Sequence, residues 1–137
     1  MGEVRTKVKL TNATDEALAR RGKIRADEVR VYKTEALVDA GAVQTVIPAD
    51  VVRMLGLETP WQRGVEYADG RKEVVPTTEA ILIEIRHRIT NDEALVLGDE
   101  VLIGQTILEK LDLHVDCANQ KLIPNPAHPD QAVTKVK

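Results

Sequence analysis

Short apolar runs separated by closely spaced turn residues are the feature that most restricts how this chain folds. Residues 4–10 alternate between apolar or Thr side chains and basic ones, and this period of two is typical of a strand with one buried face. The chain has no Phe and only 2% aromatic residues, so Val, Ile, Leu and Ala must build the core. Val and Ile favour strands because branching at Cβ suits a pleated surface. Further short strands are predicted at 29–31, 36–38, 45–47, 80–85, 94–97 and 101–103.

Two pairs of short runs are predicted to form hairpins. Turn-forming residues separate the members of each pair: Asp69-Gly70 between 64–68 and 71–75, and residues 118–120 between 113–115 and 121–123. Asp-Gly predicts a type I′ turn, in which both central residues have positive φ.

Three segments have the pattern of short helices, namely 14–22, 49–55 and 105–111. Thr14 is predicted to cap the first. Pro48 suits the start of the second, because its missing N–H would have no helical partner there. Strands outnumber helices, so we expect an all-β fold, closed or orthogonal, with one or two short helices. An apolar run, a turn Gly and a short helix also occur twice, at 36–56 and at 101–111.

The length of 137 residues fits a single domain, which we expect at residues 1–126. Prolines and polar residues from Pro124 onward predict a loose tail at 127–137. The formal net charge is -3 with no large basic block, which argues against a nucleic-acid partner. Cys117 is the only cysteine, no run approaches the ~18 apolar residues of a membrane span, and no apolar leader follows the N-terminus. We therefore expect a cytoplasmic protein that does not enter membranes.

Asp39 is the strongest candidate for a chemical role. It follows the apolar run 36–38 and precedes Ala40-Gly41-Ala42, so we expect a tight turn and a partly buried carboxylate. A buried carboxylate needs partners or has a raised pKa. Asp is also common in ordinary turns, but we favour a catalytic role. The remaining notable acids are interpreted as turn or surface residues: Asp69, Asp99, Asp112 and Asp116.

No metal ion or other cofactor is expected. His87, His114 and His128 lack helical i, i+4 spacing and have no nearby Cys pair. Nothing in the chain resembles a Gly-rich phosphate loop.

Several segments in chain order match the motifs of a known family. They are Ala36-Leu37-Val38-Asp39-Ala40-Gly41-Ala42 with Thr45-Val46-Ile47-Pro48, then Tyr67-Ala68-Asp69-Gly70, then Val101-Leu102-Ile103-Gly104, and finally 108–113 with 121–124. This set resembles the retropepsin-like aspartic proteases, and the bacterial single-lobe members in particular. The resemblance spans residues 4–126.

The resemblance implies a retropepsin-like half-barrel that pairs with a second copy of the chain. One Asp39 from each copy would lie at the two-fold axis, and the two carboxyls would share one proton, as in aspartic proteases generally. The ionised carboxylate would take a proton from the attacking water, and the protonated one would donate to the developing oxyanion. Ala68-Asp69-Gly70 would belong to a flap that closes over an extended peptide or protein substrate. Ile103 and Gly104 would belong to the second signature of the family, an apolar pair followed by Gly ahead of the C-terminal helix.

Ala40 departs from the family pattern, which has Thr or Ser after the catalytic Asp. That hydroxyl bonds across the dimer axis, and the side chain of Ala can neither donate nor accept. Each lost hydrogen bond costs about 1 kcal/mol, or up to about 3 kcal/mol if a buried partner is left unpaired. The sequence therefore predicts an aspartic endopeptidase that Ala40 weakens. The alternatives are a non-catalytic peptide-binding or dimerisation module on the same scaffold and a strand-rich adaptor unrelated to proteases.

Overall fold

The computed structural model describes residues 3–136, and this part of the chain is mostly β, with 41% strand and 18% helix. The strands are β1 (Val4–Asn12), β2 (Val31–Val38), β3 (Thr45–Ile47), β4 (Trp61–Glu66), β5 (Lys72–Thr77), β6 (Ile81–Ile85), β7 (Arg88–Asp92), β8 (Ala94–Val96), β9 (Leu102–Ile103), β10 (Leu113–Asp116) and β11 (Lys121–Pro124). The α-helices are α1 (Ala13–Arg20), α2 (Ala49–Met54) and α3 (Gln105–Leu111), and a 3-10 turn covers Ala26–Glu28. The mostly β class is confirmed. Each of the three segments with a helical pattern forms a short helix, so there is one more helix than the one or two expected for the fold class.

Nine of the strands form one open sheet, in the order β4-β5-β8-β3-β9-β2-β1-β6-β7, and β10 pairs with β11 alone. β4 and β7 are the outer strands of the large sheet. A closed architecture, one of the two that the strand pattern predicted, is therefore not formed within residues 3–136.

The core lies on one face of this sheet. Val8 and Leu10 of β1 are at most 3% exposed, as are Ile81, Ile83 and Ile85 of β6. They alternate with more exposed residues because successive side chains point to opposite faces of a strand. The apolar sides of α2 and α3 belong to the same buried cluster, and burial of each such side chain contributes about 1.5–3 kcal/mol. A core of Val, Ile, Leu and Ala is confirmed.

A short strand from late in the chain lies between two strands from its first third. Leu37 and Val38 of β2 pair in parallel with Leu102 and Ile103 of β9, and Val46 of β3 pairs with Leu102 on the other side. β9 therefore separates β2 from β3 and fixes both ends of the loop between them. The two copies of the repeated sequence pattern, 36–56 and 101–111, thus lie side by side.

The start of α1 differs from its prediction. Asn12, rather than Thr14, caps the helix, and its Oδ1 accepts a hydrogen bond of 2.9 Å from the N–H of Asp15. Asn is at least as good an N-cap as Thr. The Asn12 amide also donates to the Leu55 carbonyl at 2.7 Å, which joins α1 to the end of α2. The prediction that α2 follows directly after Pro48 is confirmed.

The hairpins are confirmed with two differences. β4–β5 surrounds Asp69-Gly70 and β10–β11 closes the predicted C-terminal hairpin. Only Gly70 of the first pair has positive φ, so this turn is a three-residue loop with a Gly bulge and not type I′. β6 and β7 form a further hairpin, which was not predicted, because Arg86 and His87 adopt positive φ without the usual Gly or Asn.

Residues 125–133 contact the domain mainly through the carboxylate of Asp112, and the Arg88 guanidinium also donates to the His128 carbonyl at 2.6 Å. Asp112 ends α3 in a left-handed conformation, with φ 54° and ψ 52°, and its side chain is 13% exposed. It accepts hydrogen bonds from the Asn125 amide at 2.9 Å and the Val133 N–H at 3.1 Å, and it pairs with His128 Nδ1 at 2.7 Å. The Asn125 hydrogen bond, followed by those from Val133 and His128, lowers the pKa of Asp112 to about 2. The boundary between the domain and the tail at residue 127 stays a prediction.

Candidate active site

Asp39 lies in a tight turn directly after β2. Its N–H donates to the Ile103 carbonyl at 3.0 Å, and its own carbonyl accepts from the Ala42 N–H at 3.1 Å. The carboxylate is oriented by its own loop, because Oδ1 accepts the N–H of Gly41 at 2.9 Å. A Cβ on Gly41 would lie only 3.2 Å from the same oxygen. The backbone N–H of Gly41 therefore orients the carboxylate, and the absence of a Cβ leaves room for it.

Gly104 lets the start of α3 pack directly against this loop. A Cβ on Gly104 would lie 2.7 Å from the Gln44 carbonyl oxygen and 2.9 Å from that of Ala42. This close approach allows the Gln105 N–H to donate to the Ala42 carbonyl at 2.7 Å and the Thr106 N–H to donate to the Val43 carbonyl at 3.1 Å. The loop is thus fixed through its backbone by the segment that follows β9.

The carboxylate of Asp39 is exposed in the single chain, as is Ala40. The expectation of a partly buried Asp39 was therefore wrong for one copy of the protein. The reason is that the turn, and not the apolar run before it, decides where the carboxylate points. An oriented but uncovered carboxylate is available to a second molecule.

A fully buried hydroxyl lies close to this loop in sequence. Thr45 begins β3 and is 0% exposed, and its Oγ1 has no hydrogen-bond partner among residues 3–136. Buried hydroxyls are nearly always paired, and an unpaired one costs about 1–3 kcal/mol. The strand that leaves the Asp39 turn thus contains a destabilising group.

The residues predicted for the flap lie at the tip of the β4–β5 hairpin. Ala68, Asp69 and Gly70 are exposed. The backbone N–H and the guanidinium of Arg71 both donate to Asp69, at 3.0 and 2.8 Å, and lower the pKa of this carboxyl. The guanidinium also lies 4.7 Å from the ring centre of Tyr67, so the tip has a defined shape. Within the described part of the chain, no hydrogen bond joins the tip to the Asp39 loop.

The structure brings together Asp39, Gly41, Ala42, Ile103 and Gly104, and it places Ala68-Asp69-Gly70 on a separate hairpin. The amides of Gln105 and Thr106 were missed by the sequence analysis. They act through backbone groups, which every residue type has, so their side chains gave no signal. Between residues 3 and 136, no group of three or more His, Cys, Asp or Glu side chains is arranged to hold a metal ion. In the same range, no helix has the length and apolar character that crossing a bilayer requires.

A late strand, β9, thus lies between β2 and β3 and fixes the loop that contains Asp39. A family model described as "gag-polyprotein putative aspartyl protease" matches residues 28–110, which include both Asp39 and the β9–α3 segment. The chain belongs to this family, and the resemblance to retroviral-type aspartic proteases is confirmed at that level. No curated protein matches the chain at a significant level.

Proposed function

We propose that the protein is an aspartic endopeptidase that acts as a homodimer, with Asp39 of each copy as the catalytic residue. The observation that carries this proposal is the Asp39 turn itself. The carboxylate is oriented by Gly41, fixed by Ile103 and the start of α3, and left open to solvent. Membership of an aspartyl protease family supports the same reaction.

One carboxylate is insufficient for this chemistry. Hydrolysis needs one group that takes a proton from water and one that donates a proton to the developing oxyanion. Two Asp39 side chains about 3 Å apart would supply both, because like charges at that distance favour a single shared proton. The exposed position of Asp39 leaves room for this pairing.

The β4–β5 hairpin is the proposed flap, with Ala68-Asp69-Gly70 at its tip. A peptide or protein in extended form would lie between the flap and the Asp39 pair. The ordered tip, fixed by Arg71 on Asp69 and Tyr67, supports a hairpin that moves as a unit. A cytoplasmic location stays a prediction.

Cleavage of unfolded protein substrates between pH 3 and 7, with and without pepstatin, tests the reaction. We expect pepstatin and Asp39→Asn to abolish cleavage. Asp99→Asn is the matched control, because Asp99 is exposed, lies in a turn and makes no hydrogen bond or ion pair through its side chain among the described residues. Cleavage that persists in Asp39→Asn would exclude the proposed pair of carboxylates. Sedimentation equilibrium should show a species of twice the 15.1 kDa of one chain.

Ala40 favours a second candidate, a non-catalytic peptide-binding or dimerisation module on the same scaffold. The side chain of Ala40 is exposed beside Asp39 and provides no hydrogen-bonding group. Ala40→Thr would supply the hydroxyl that the family uses across the axis, at about 1 kcal/mol or more per bond. A large gain in cleavage by Ala40→Thr supports a weakened protease. If neither the wild type nor Ala40→Thr cleaves the substrate, and the protein nevertheless binds peptides, the result supports the module.

A further inference from the structure

The first half of β1 has an unpaired edge. β1 pairs with β2 over Val4–Thr11, but with β6 only over Lys9–Asn12. Residues 4–8 therefore have a hydrogen-bonded strand on one side only, within the described part of the chain, although β11 packs close to β1. An unpaired edge presents backbone N–H and C=O groups that an added strand can use.

This edge lies in a cleft of about 930 Å³. Five consecutive residues of β1, Arg5 to Lys9, line the cleft. Successive side chains of a strand point to opposite faces, so a cleft that touches all five runs along β1. It also reaches Lys33, Thr34 and Glu35 of the paired strand β2. The opposite walls come from the β6–β7 turn, at Arg86 and His87, and from the start of β11, at Lys121.

The cleft is strongly basic. Six cationic side chains line it against two carboxylates: Arg5, Lys7, Lys9, Lys33, Arg86 and Lys121 against Glu35 and Glu84. Among residues 3–136, only Arg5 of these cations has a carboxylate within 4.0 Å, from Glu3 and Glu100. Lys7 lies across from Glu35, and Lys9 across from Glu84, in the strand register. Lys121 lies across from Asp116 in the β10–β11 register. Lys33 and Arg86 have no such counterpart, and six cations against two carboxylates leave the cleft with an excess of positive charge.

We propose that this cleft binds an extended acidic segment of a partner protein, which adds to the free edge of β1 as a further strand. The free edge supplies backbone hydrogen bonds, and the basic walls select acidic side chains. The five residues Val4–Val8 would accommodate about 17 Å of extended peptide.

A second copy of β1 does not fit as the occupant. Antiparallel pairing of two such edges would bring the basic residues Arg5, Lys7 and Lys9 of both copies close together, and like charges across strands are destabilising. Lysines on an edge also protect it from aggregation. Here, however, unmatched cations on β2 and on the β6–β7 turn also line the cleft beside this edge, which edge protection does not require.

The charge requirement is tested with a fluorescein-labelled heptapeptide that alternates Glu with Val or Thr, measured by fluorescence anisotropy on the full chain. Lys33→Glu combined with Arg86→Glu should weaken binding about tenfold, since each reversal replaces an attraction with a repulsion. Lys33 faces Lys9 in the register, so the change to Glu creates an opposite-charge pair and spares the fold. The matched control is Arg21→Glu with Lys23→Glu, two exposed cations outside the cleft, which should bind as the wild type does. Equal affinity of both double variants would overturn the proposal.

The strand-addition requirement is tested separately. The same peptide with N-methyl groups on alternate amides should bind at least about tenfold more weakly, because it cannot complete the backbone ladder. Hydrogen exchange of the wild-type protein should slow at residues 4–8 when the unmodified peptide binds. Undiminished binding of the N-methylated peptide, or protection confined to the Asp39 loop and flap, would overturn the proposal. So would a single-stranded oligouridylate that binds more tightly and displaces the peptide. These readouts are independent of cleavage and hold whether or not the proposed protease activity is found.

Discussion

Replacing Gly104 with Ala tests whether the Asp39 loop is held by close backbone packing. The added Cβ would lie 2.7 Å from the Gln44 oxygen, 2.9 Å from the Ala42 oxygen and 2.9 Å from the Val43 carbonyl carbon. Ordinary contact begins at 3.4 Å, so the nearest atom is about 0.7 Å too close. All three atoms are backbone, and no side-chain rotation relieves the overlap. The backbone of Gly104 itself, at φ -96° and ψ -179°, suits Ala, so the effect comes from contact and not from φ.

The expected cost is about 3 kcal/mol. Overpacking typically costs about 1–3 kcal/mol. Moving the loop also stretches the hydrogen bonds from Gln105 to Ala42 and from Thr106 to Val43, each worth about 1 kcal/mol. This corresponds to roughly a hundredfold change in the ratio of folded to unfolded protein.

Urea unfolding followed by far-ultraviolet circular dichroism measures this cost. Fluorescence is a poorer probe, since Trp61 is already 61% exposed in the folded chain. Gly64→Ala is the matched control, because a Cβ there meets nothing within 4 Å and Gly64 has no positive φ. It should stay within about 0.5 kcal/mol of the wild type. If Gly104→Ala also stays within about 0.5 kcal/mol, the loop is not held as described.

Two further predictions concern stability. Thr45→Val should stabilise the protein by about 1 kcal/mol, because it replaces an unpaired buried hydroxyl with a methyl group of similar size; a loss of stability in urea unfolding would show that the hydroxyl has a partner. Asp112→Asn should be less stable than the wild type at pH 7, and the difference should shrink as the pH falls from about 4 to 2. The folded-state pKa of Asp112 is about 2, below its ordinary value of 3.8, so its contribution is present above about pH 4 and disappears as the carboxylate is protonated. Unfolding measured at several pH values checks this, and a difference that is constant from pH 7 to 2 would contradict it.

Much of the fold was predictable because the signals are local. The alternation in residues 4–10, the Pro48 boundary and the Asp69-Gly70 turn each act within a few residues, and each appears in the structure as an element at the expected place. The Asp39 turn also belongs to this group. Its defining hydrogen bond to Gly41 spans two residues.

The remaining features depend on residues that are far apart in the chain. Leu37 pairs with Leu102, which lies 65 residues later, and no rule of residue spacing predicts this parallel pair. The repeated pattern at 36–56 and 101–111 was the one trace of it in the sequence. Asp112 was interpreted as a turn or surface residue, and it does end a helix. Its hydrogen bonds with His128 and Asn125 depend on where the later part of the chain folds back, and the sequence around Asp112 does not indicate this.

The position of β9 between β2 and β3 has a consequence for the order in which the protein matures. During synthesis, Asp39 is added to the chain early. The carbonyl of Ile103 and the amides of Gln105 and Thr106, which support its turn, are added more than sixty residues later. Until then the turn lacks the support that fixes it, and long-range pairing of this kind forms slowly. A half-made chain would therefore carry the acid group on a turn that still lacks the backbone contacts that hold it in the finished fold.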